Sequence, residues 1–491
     1  MSTHHHLHLN LRQRAHLEMV KRQFVPDFEP EVRAEVQALK SRHAGADAGG
    51  GLRDLRSFLW SSIDNNDSLD LDQIEYVERM DNGSMRVMVG VSDVDSLAPA
   101  GSAIDRHAGK NCTSVYTGVV TYPMLPEELS ADMSSLAEGE DRRAVVVDMT
   151  LDAAGEVVAS DVYPALVRNH AKLAYESVGN WLETGNQPPG KVEEVEGLQE
   201  QLMIQNEVRE RLHALRQKHG SLHLQTIEAR PVLCDGQVIN LESVEENPAR
   251  EIIENLMIAA NITISEFLEA KAIPSIRRIV KTPERWDRIV QVAASFDREL
   301  PANPDVQALA AFLIERRKAD PERFPDLSLT IVKLLGPGEY IVHKPGVRDE
   351  GHFALAVHDY THATAPNRRY ADLVTQRLVK SALSGVPSPY SVEALDDIAR
   401  RCTEREDGSR KVERTMRKVA AAVMLKKHIG EKFDGIVTGV TSGGTYVRVF
   451  RPPVEGRIVQ GEHGLDVGDK VRLRLLSTDP DEAYIDFARI R

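Results

Sequence analysis

Two helical patterns open the chain: apolar positions recur every three to four residues in LRQRAHLEMVKRQ and EPEVRAEVQALKSR, between residues 11 and 42. AGADAGGG at 44–51 breaks that pattern and reads as a flexible linker. The period then drops to two. SFLWSSID, IEYVERM and SMRVMVGVSDV alternate as half-buried strands do. Asp81-Asn82-Gly83 between the last two predicts a β-hairpin with a type I′ turn, in which both central residues take positive φ. Helical spacing returns in EIIENLMIAANITISEFLEAKA (251–272) and YADLVTQRLVKSALSG (370–385), and long helices are expected to dominate residues 191–320. From Lys432 the chain becomes short alternating strands separated by Gly and Asp turns, the texture of a small closed β-barrel. The expected fold class is therefore α+β. A helical N-terminal segment with its linker fills 1–50, a large mixed α/β unit 51–430, and a barrel 431–491.

Composition adds bounds. A chain of 491 residues with 42% hydrophobic and 28% charged positions is globular and large enough for more than one core. No run of ~20 apolar residues and no signal segment is present, so a cytoplasmic protein without a membrane partner is expected. Cys112, Cys234 and Cys402 form no CxxC pair and are far apart in sequence, which predicts neither disulfides nor a thiolate zinc site. The net charge of −14 excludes a surface that coats nucleic acid everywhere, though not a local basic channel. Between Arg400 and Lys432 eleven Lys and Arg stand against five Asp and Glu; as a charge run alone, this reads as a solvated helix face. His4, His5, His6 and His8 read as part of a polar terminus without fixed ligand geometry.

The chemistry concentrates in IDNNDSLDLDQIEY (63–76). Asp64, Asp67, Asp70, Asp72 and Glu75 interleave with Ile63, Leu69, Leu71 and Ile74, so part of the segment is expected to be buried. Carboxylates buried at close range repel and prefer the neutral form unless a cation lies among them. Asp70 and Asp72 share one face of an extended strand, and a bent loop can bring Asp64 to them. Hard oxygen ligands of this kind suit Mg²⁺, which binds phosphate oxygens at the same time and serves phosphodiester hydrolysis. A calcium loop over Asp64, Asn66, Ser68, Asp70, Asp72 and Glu75 is the weaker reading, because Leu69 stands where that loop needs Gly and a strand follows in place of a helix.

Two further stretches point to phosphate. In APNRRYADLVTQRL, Pro366 stops the preceding segment and Asn367-Arg368-Arg369 opens a helix, so two guanidiniums are expected near a helix N-terminus. In the barrel, Phe433, Tyr446 and Phe450 lie near Arg448 and Arg451, the mixture that stacks bases and holds phosphates; each aromatic can equally be barrel core.

Taken together, IDNNDSLDLDQ, the stretch VSDVDSLAPAGSAIDRHAGKNCTSVYTGVVTYPMLPEELS, AKLAYESVGNWLE, ENLMIAANI and THATAPNRRYADLVTQRL resemble the catalytic (RNB-type) domain of the ribonuclease II and ribonuclease R family, in order over roughly 51–430. The C-terminal barrel resembles the S1 RNA-binding domain, an oligonucleotide-binding fold, that follows it there. The resemblance implies a processive, Mg²⁺-dependent, hydrolytic 3′→5′ exoribonuclease that degrades single-stranded RNA to nucleoside 5′-monophosphates. It places Asp64, Asp70 and Asp72 on the active-site aspartates and Arg368 on the arginine that holds the scissile phosphate. Tyr116 falls on the aromatic that stacks on the terminal bases, Tyr175 and Glu254 on positions that touch the terminal nucleotides, and Glu413 on a further RNA contact. Arg369, Phe433, Tyr446 and Arg448 complete the expected RNA-binding set.

Two departures stand out. The family pattern ends in two adjacent aspartates, and here the second is Gln73, an amide that can offer a metal-ligating oxygen without charge; Asp67 or Glu75 is a candidate substitute. The second aromatic of the family's base clamp falls on Leu222, which predicts a one-sided stack. The family's cold-shock barrels, of ~70 residues each, do not fit in the fifty residues ahead of the catalytic unit, so weaker and more salt-sensitive RNA binding is expected. A monomeric enzyme is the leading expectation, and a catalytically weakened or silenced RNA-binding protein is its alternative because of Gln73.

Overall fold

The fold was read from a computed structural model, which describes residues 10–43, 52–225, 228–234, 237–244, 246–321, 323–348 and 350–490. The linker at 44–51 and the N-terminal histidines lie outside the described residues. Helices α1 (Leu11–Lys21) and α2 (Pro30–His43) form where the apolar spacing places them, and Asn10 caps α1 by accepting from Gln13 N–H. They do not stand free. Leu11, Ala15, Met19 and Phe24 share a buried cluster with Val412, Met416 and Val419. Glu35 accepts from the N–H groups of Ala103 and Ile104, capping α3 (Ala103–Asn111). Glu29 bonds His107 and Lys110 on that same helix.

The centre is a sheet closed on itself. Its strands are β1 (Arg53–Asp54), β2 (Trp60–Asp64), β3 (Gln73–Arg79), β4 (Met85–Ser92), β7 (Asp141–Leu151) and β8 (Val157–Ala174), in the order β1-β8-β2-β3-β4-β7. A separate pair, β5 (Val115–Tyr116) and β6 (Thr121–Tyr122), sits between β4 and β7 in the chain. Closure follows from the length of β8: Val157 to Arg168 pairs antiparallel with β7, and Asn169 to Ala174 runs parallel to β2. The last rung joins Asp64 to Ala174, so the next residue, Tyr175, is delivered beside the first aspartate.

Strand alternation divides the apolar residues. Ile63, Val77, Val87, Val89 and Val91 enter the large core, and Trp60, Ile74, Met88, Val146 and Tyr163 form a second cluster on the opposite face. Each such side chain, fully buried, stabilises by roughly 1.5–3 kcal/mol. The β3–β4 hairpin exists, but its turn differs from the expected one. Met80 N–H donates to Ser84 O and Gly83 N–H to Met80 O, and of Asn82 and Gly83 only Gly83 (φ +81°) has positive φ. The turn is therefore one residue type short of I′: Asn82 spends its side chain accepting from Ser84 N–H instead of adopting the left-handed conformation.

Helices α4 (Tyr175–Thr184), α5 (Gly190–Glu194), α6 (Leu198–His219) and α7 (Pro248–Ala270) follow, the last two separated by the hairpin β9 (Glu228–Cys234) and β10 (Gln237–Val244) that helical spacing does not announce. Helices α8 (Trp286–Ala294), α9 (Val306–Ala319) and α10 (Phe324–Leu335) have their own core around Trp286, Leu313 and Ile331. Strands β11 (Ser275–Ile279) and β12 (Glu339–His343) pair antiparallel on either side of that helical group. Helix α11 (Tyr370–Ser384) crosses the core, and α12 (Val392–Leu425) leads to the barrel of β13 (Lys432–Thr441), β14 (Gly444–Val449), β15 (Val454–Gln460), β16 (Lys470–Asp479) and β17 (Tyr484–Ile490). The barrel closes in the order β13-β14-β15-β17-β16. No described helix is long and apolar enough to cross a membrane. Cys112 and Cys402, distant in sequence, meet as buried free thiols.

Candidate active site

The acidic segment leaves β2 at Asp64, loops, and re-enters the sheet as β3. Its shape is fixed by neighbours. Lys172 of β8 donates to Ser68 O (2.5 Å) and Asn66 O (3.2 Å). Ser135 donates to Leu69 O and accepts from Leu71 N–H, and Ser92 N–H donates to Asp72 O. Ile63, Leu71 and Ile74 are buried as expected, but Leu69 is 66% exposed: it stands on the loop's crest, where the backbone turns its side chain away from both clusters.

Asp72 is the floor of the site, 2% exposed. Its Oδ1 accepts from Asn367 N–H at 2.8 Å, and Arg368 Nε lies 3.3 Å from Oδ2. Backbone pairing brings these distant stretches together: Ser114 N–H donates to Arg368 O, Tyr370 N–H to Cys112 O, and Thr113 bridges Arg369. The same pairing sets Tyr116, two residues on from Ser114, beside the aspartates, where its phenol acts as a hydrogen-bonding neighbour of Asp70. Tyr116 is 44% exposed, so its ring is open to a ligand. Asp64 Oδ1 accepts from Asn65 N–H (2.6 Å) and Ser68 Oγ (2.9 Å). Gln73 is the buried first residue of β3, on the same strand face as Glu75.

The electrostatics are those of a site short of positive charge. Burial pushes the Asp72 carboxyl up to about 7, against the pull of Arg368 and of the Asn367 N–H; Asp70 and Asp372 push the same way as burial. Burial, with a contribution from Asp64, also raises Asp70. Glu75 is fully buried, neither of its oxygens has a hydrogen-bond partner, and burial followed by the Asp64 charge drives it well above the carboxylate range. Asp72 Oδ2 likewise accepts no hydrogen bond. Buried carboxyl oxygens left without hydrogen-bond partners, on Asp72 and Glu75, beside the carboxylates of Asp64 and Asp70, are the kind of hard oxygen donors that a divalent cation satisfies. No three of these acids bring oxygens within 4.8 Å of one another.

The remaining expected residues separate into groups. Tyr175 opens α4 with the Arg250 guanidinium 4.3 Å above its ring, and Arg250 also reaches Asn65. Arg250 and Asn367 are site residues that sequence reasoning missed; Asn367 stands inside the recognised APNRRY stretch, whereas Arg250 lies in a helix without a signal. Of the two adjacent guanidiniums, only Arg368 (42% exposed) projects to the aspartates; Arg369 turns back to pair at 2.6 Å with buried Asp372, three residues on in the first turn of α11. Glu254 is exposed and held by both Nη atoms of Arg216 at 3.2 Å. Leu222 is buried in the helical core, so it offers no stacking surface. Glu413 accepts from Tyr116 N–H.

The charge run of α12 is in part the solvated face expected, with Arg410, Lys411 and Arg414 exposed, and the same residues also border a cleft. Lys333, Arg410, Lys411, Arg414, Arg417, Lys418 and Arg448 line a cleft of about 610 Å³ between α10, α12 and the barrel, against Asp407, Glu413 and Glu455. Arg448 is buried on its wall, its proton affinity lowered by burial, and Lys418 lies over the Tyr446 ring. Phe433 packs edge-on against Phe487 at the barrel core. The calcium-loop reading fails because Glu75 lies inside the sheet, where it cannot close a surface loop.

Residues 52–385 match the RNB domain, and residues 431–490 match the RNase II-type exonuclease C-terminal S1 domain. Ribonuclease R of Thermotoga maritima is 31% identical over 448 residues, which cover 88% of this chain and 61% of that protein. Ribonuclease R of Escherichia coli is 28% identical over 95% of this chain and 61% of its own length. The chain thus spans about three fifths of the length of these relatives. The fold superposes on Mycoplasma genitalium RNase R in complex with ribose methylated single-stranded RNA (TM-score 0.86, 23% identity, 98% of this chain and 78% of that one). It also superposes on yeast Ssd1, described as a pseudonuclease (TM-score 0.64, 19% identity, 83% and 50%). With the RNB domain model matching well over half of the sequence and the S1 model matching the barrel, the chain belongs to the ribonuclease II and ribonuclease R family.

Proposed function

We propose that this chain is a monomeric, cytoplasmic, Mg²⁺-dependent hydrolytic exoribonuclease that shortens single-stranded RNA processively from its 3′ end and releases nucleoside 5′-monophosphates. The observation that carries the reading is the junction of Asp72, Asn367 N–H and Arg368 on the floor of a closed sheet, with two further aspartates and an open tyrosine ring around it. In the working division, residues 51–430 do the chemistry and 431–491 hold RNA.

Asp64, Asp70 and Asp72 would hold the metal, with the Gln73 amide oxygen at their edge. Bound there, Mg²⁺ supplies water activation and charge compensation at the scissile phosphate. The chain's own residues do the rest. Arg368, partly exposed and anchored through one nitrogen, retains N–H groups that can fork onto a phosphate. Tyr116 stacks on a terminal base without reading its edge, so sequence preference is weak. The basic cleft behind it follows the backbone of the incoming strand.

A second reading is favoured by Gln73 and by the likeness of the fold to a pseudonuclease: an RNA-binding protein whose metal site is weakened or silent. A 5′-labelled oligoribonucleotide run on a sequencing gel separates the two. Shortening from the 3′ end that needs Mg²⁺, stops with EDTA and disappears in Asp72→Asn is the expected outcome. Tight binding with an intact label in all lanes overturns it.

A further inference from the structure

Among the described residues, one set of three metal-type side chains does draw together, and it is not the aspartate site. His223, Glu246 and Glu251 each offer a ligand atom within 4.8 Å of the others. They come from three segments: the irregular stretch after α6, the residues before α7, and the first turn of α7. His223 Nε2 is buried and has no hydrogen-bond partner, yet it lies 3.5 Å from Glu246 Oε2. That is too long for an N–H···O bond. It is close to the ~3.4 Å that separates two donors on one tetrahedral zinc, given bonds of ~2.0–2.1 Å.

The His213 ring on α6 stands edge-on to His223 with centroids 5.8 Å apart, but its Nε2 accepts from Gln217 Nε2 at 2.7 Å, which leaves the ring proton on Nδ1 and makes it a neighbour of the cluster, not a ligand in it. His213, His223, Glu246 and Glu254 line a single cavity of about 100 Å³. Two of the nearby carboxylates already have guanidinium partners: Arg209 pairs with Glu251 and Arg216 with Glu254. Three carboxylates thus meet two fixed cations, which leaves negative charge for a bound ion to offset. Imidazole together with carboxylate suits zinc-class ions and not Mg²⁺.

We propose that His223, Glu246 and Glu251 form a three-ligand binding site for a zinc-class divalent transition metal, with its fourth position left to water, distinct from the aspartate site. The ion would tie the segment that carries Leu222 to α6 and to the first turns of α7, the helix that bears Arg250 and Glu254. Its occupancy would therefore brace the wall on which Tyr175 rests.

The test uses the full chain with His4, His5, His6 and His8 changed to Ser, which removes the competing N-terminal imidazoles, in excess Mg²⁺ to occupy the aspartate site. Zinc per chain after dialysis is measured by elemental analysis, Co²⁺ is titrated as a spectroscopic probe, and the thermal midpoint is followed with Zn²⁺. Expected are one zinc per chain, the intense visible bands of tetrahedral Co²⁺, and a midpoint that rises with Zn²⁺ concentration. His223→Ala and Glu246→Gln each weaken binding by about tenfold or more, and Asp72→Asn leaves it intact. Glu246 is partly exposed, so its amide variant keeps the test open if the histidine variant does not fold. Equal zinc content in the parent chain and both site variants, or only the weak bands of octahedral Co²⁺, overturns the proposal. Neither result bears on RNA shortening, which the gel measures independently.

Discussion

The aspartate site and the His223 cluster are both rich in acids, yet they are built in opposite ways. The aspartates hang on backbone: a rung between β2 and β8, a loop laced by Lys172 and Ser135, and one N–H from Asn367. Arg368 offsets only part of their charge, and burial raises Asp70, Asp72 and Glu75 together. The cluster at His223 consists of side chains from separate elements that already converge and already have Arg209 and Arg216 beside them. The first arrangement stores a demand for positive charge that substrate and metal meet together. The second balances itself more nearly and so is suited to a resident ion. Position is fixed by backbone where chemistry must occur, and by packing where only cohesion is needed.

The largest effect expected from breaking the first site is that of Asp72→Asn. It removes the buried carboxylate and with it at least about 100-fold of RNA shortening, since metal assistance is worth several kcal/mol. Arg368→Ala comes next. It deprives Asp72 of its one ion-pair partner and the phosphate of a fork, for a loss of roughly 10–100-fold in kcat/KM, only partly restored by Lys because a point charge does not fork. Single-turnover rates on a 5′-labelled substrate rank the three proteins.

Gly179→Ala probes the scaffold behind the site. A Cβ there would lie 2.4 Å from Asn247 Cγ, and Asn247 both caps α7 through Arg250 N–H and donates to Tyr175 O. Overpacking and a lost cap together cost about 1–3 kcal/mol, read as a lower denaturation midpoint. RNA shortening falls with it, because Tyr175 and Arg250 both shift.

The pH dependence follows from Asp72. Its folded carboxyl titrates near 7, above the unfolded value, so the metal-free chain carries this contribution in full below about pH 4 and loses it as pH rises through 7. The slope reaches at most about 1.4 kcal/mol per pH unit for one group. Denaturant titrations in EDTA from pH 5 to 8 should show stability falling, with a smaller slope in Asp72→Asn and in the Mg²⁺-loaded protein. A slope unchanged by the mutation places the effect elsewhere.

Gln73→Asp is the mildest change. It adds a carboxylate beside Asp72 and should lower the Mg²⁺ concentration needed for half-maximal rate by a few fold. If Glu75 already supplies that charge, Gln73→Asp has little effect and Glu75→Gln has the larger one. The comparison thereby locates the substitute for the missing aspartate.

Much of this was legible in the chain itself. Alternation and helical spacing predict α1, α2, the β3–β4 hairpin, α7, α11 and the barrel, because periodicity reports which face of an element meets a core. The segment IDNNDSLDLDQ and the stretch APNRRY bring forward the acids and a pair of arginines by chemistry, and the resemblance singles out Arg368. Other features needed the fold. Spacing cannot say that an 18-residue β8 would serve two neighbours and close the sheet, since that depends on what pairs at each end. Nor could it tell Arg368 from Arg369, or show that Leu69 is exposed and Leu222 buried, because adjacent residues differ only in direction once the backbone is placed.

The charge run on α12 is a solvated face that sequence alone cannot show also borders a cleft with α10 and the barrel, and His223 carries no signal until Glu246 and Glu251 stand beside it. Sequence determined the kinds of groups available and the local elements that bear them, which depend on neighbours along the chain. Which groups share a site, and with what charge balance, was decided by tertiary structure, because Coulomb and ligand interactions act over a few ångströms of space whatever the separation in sequence.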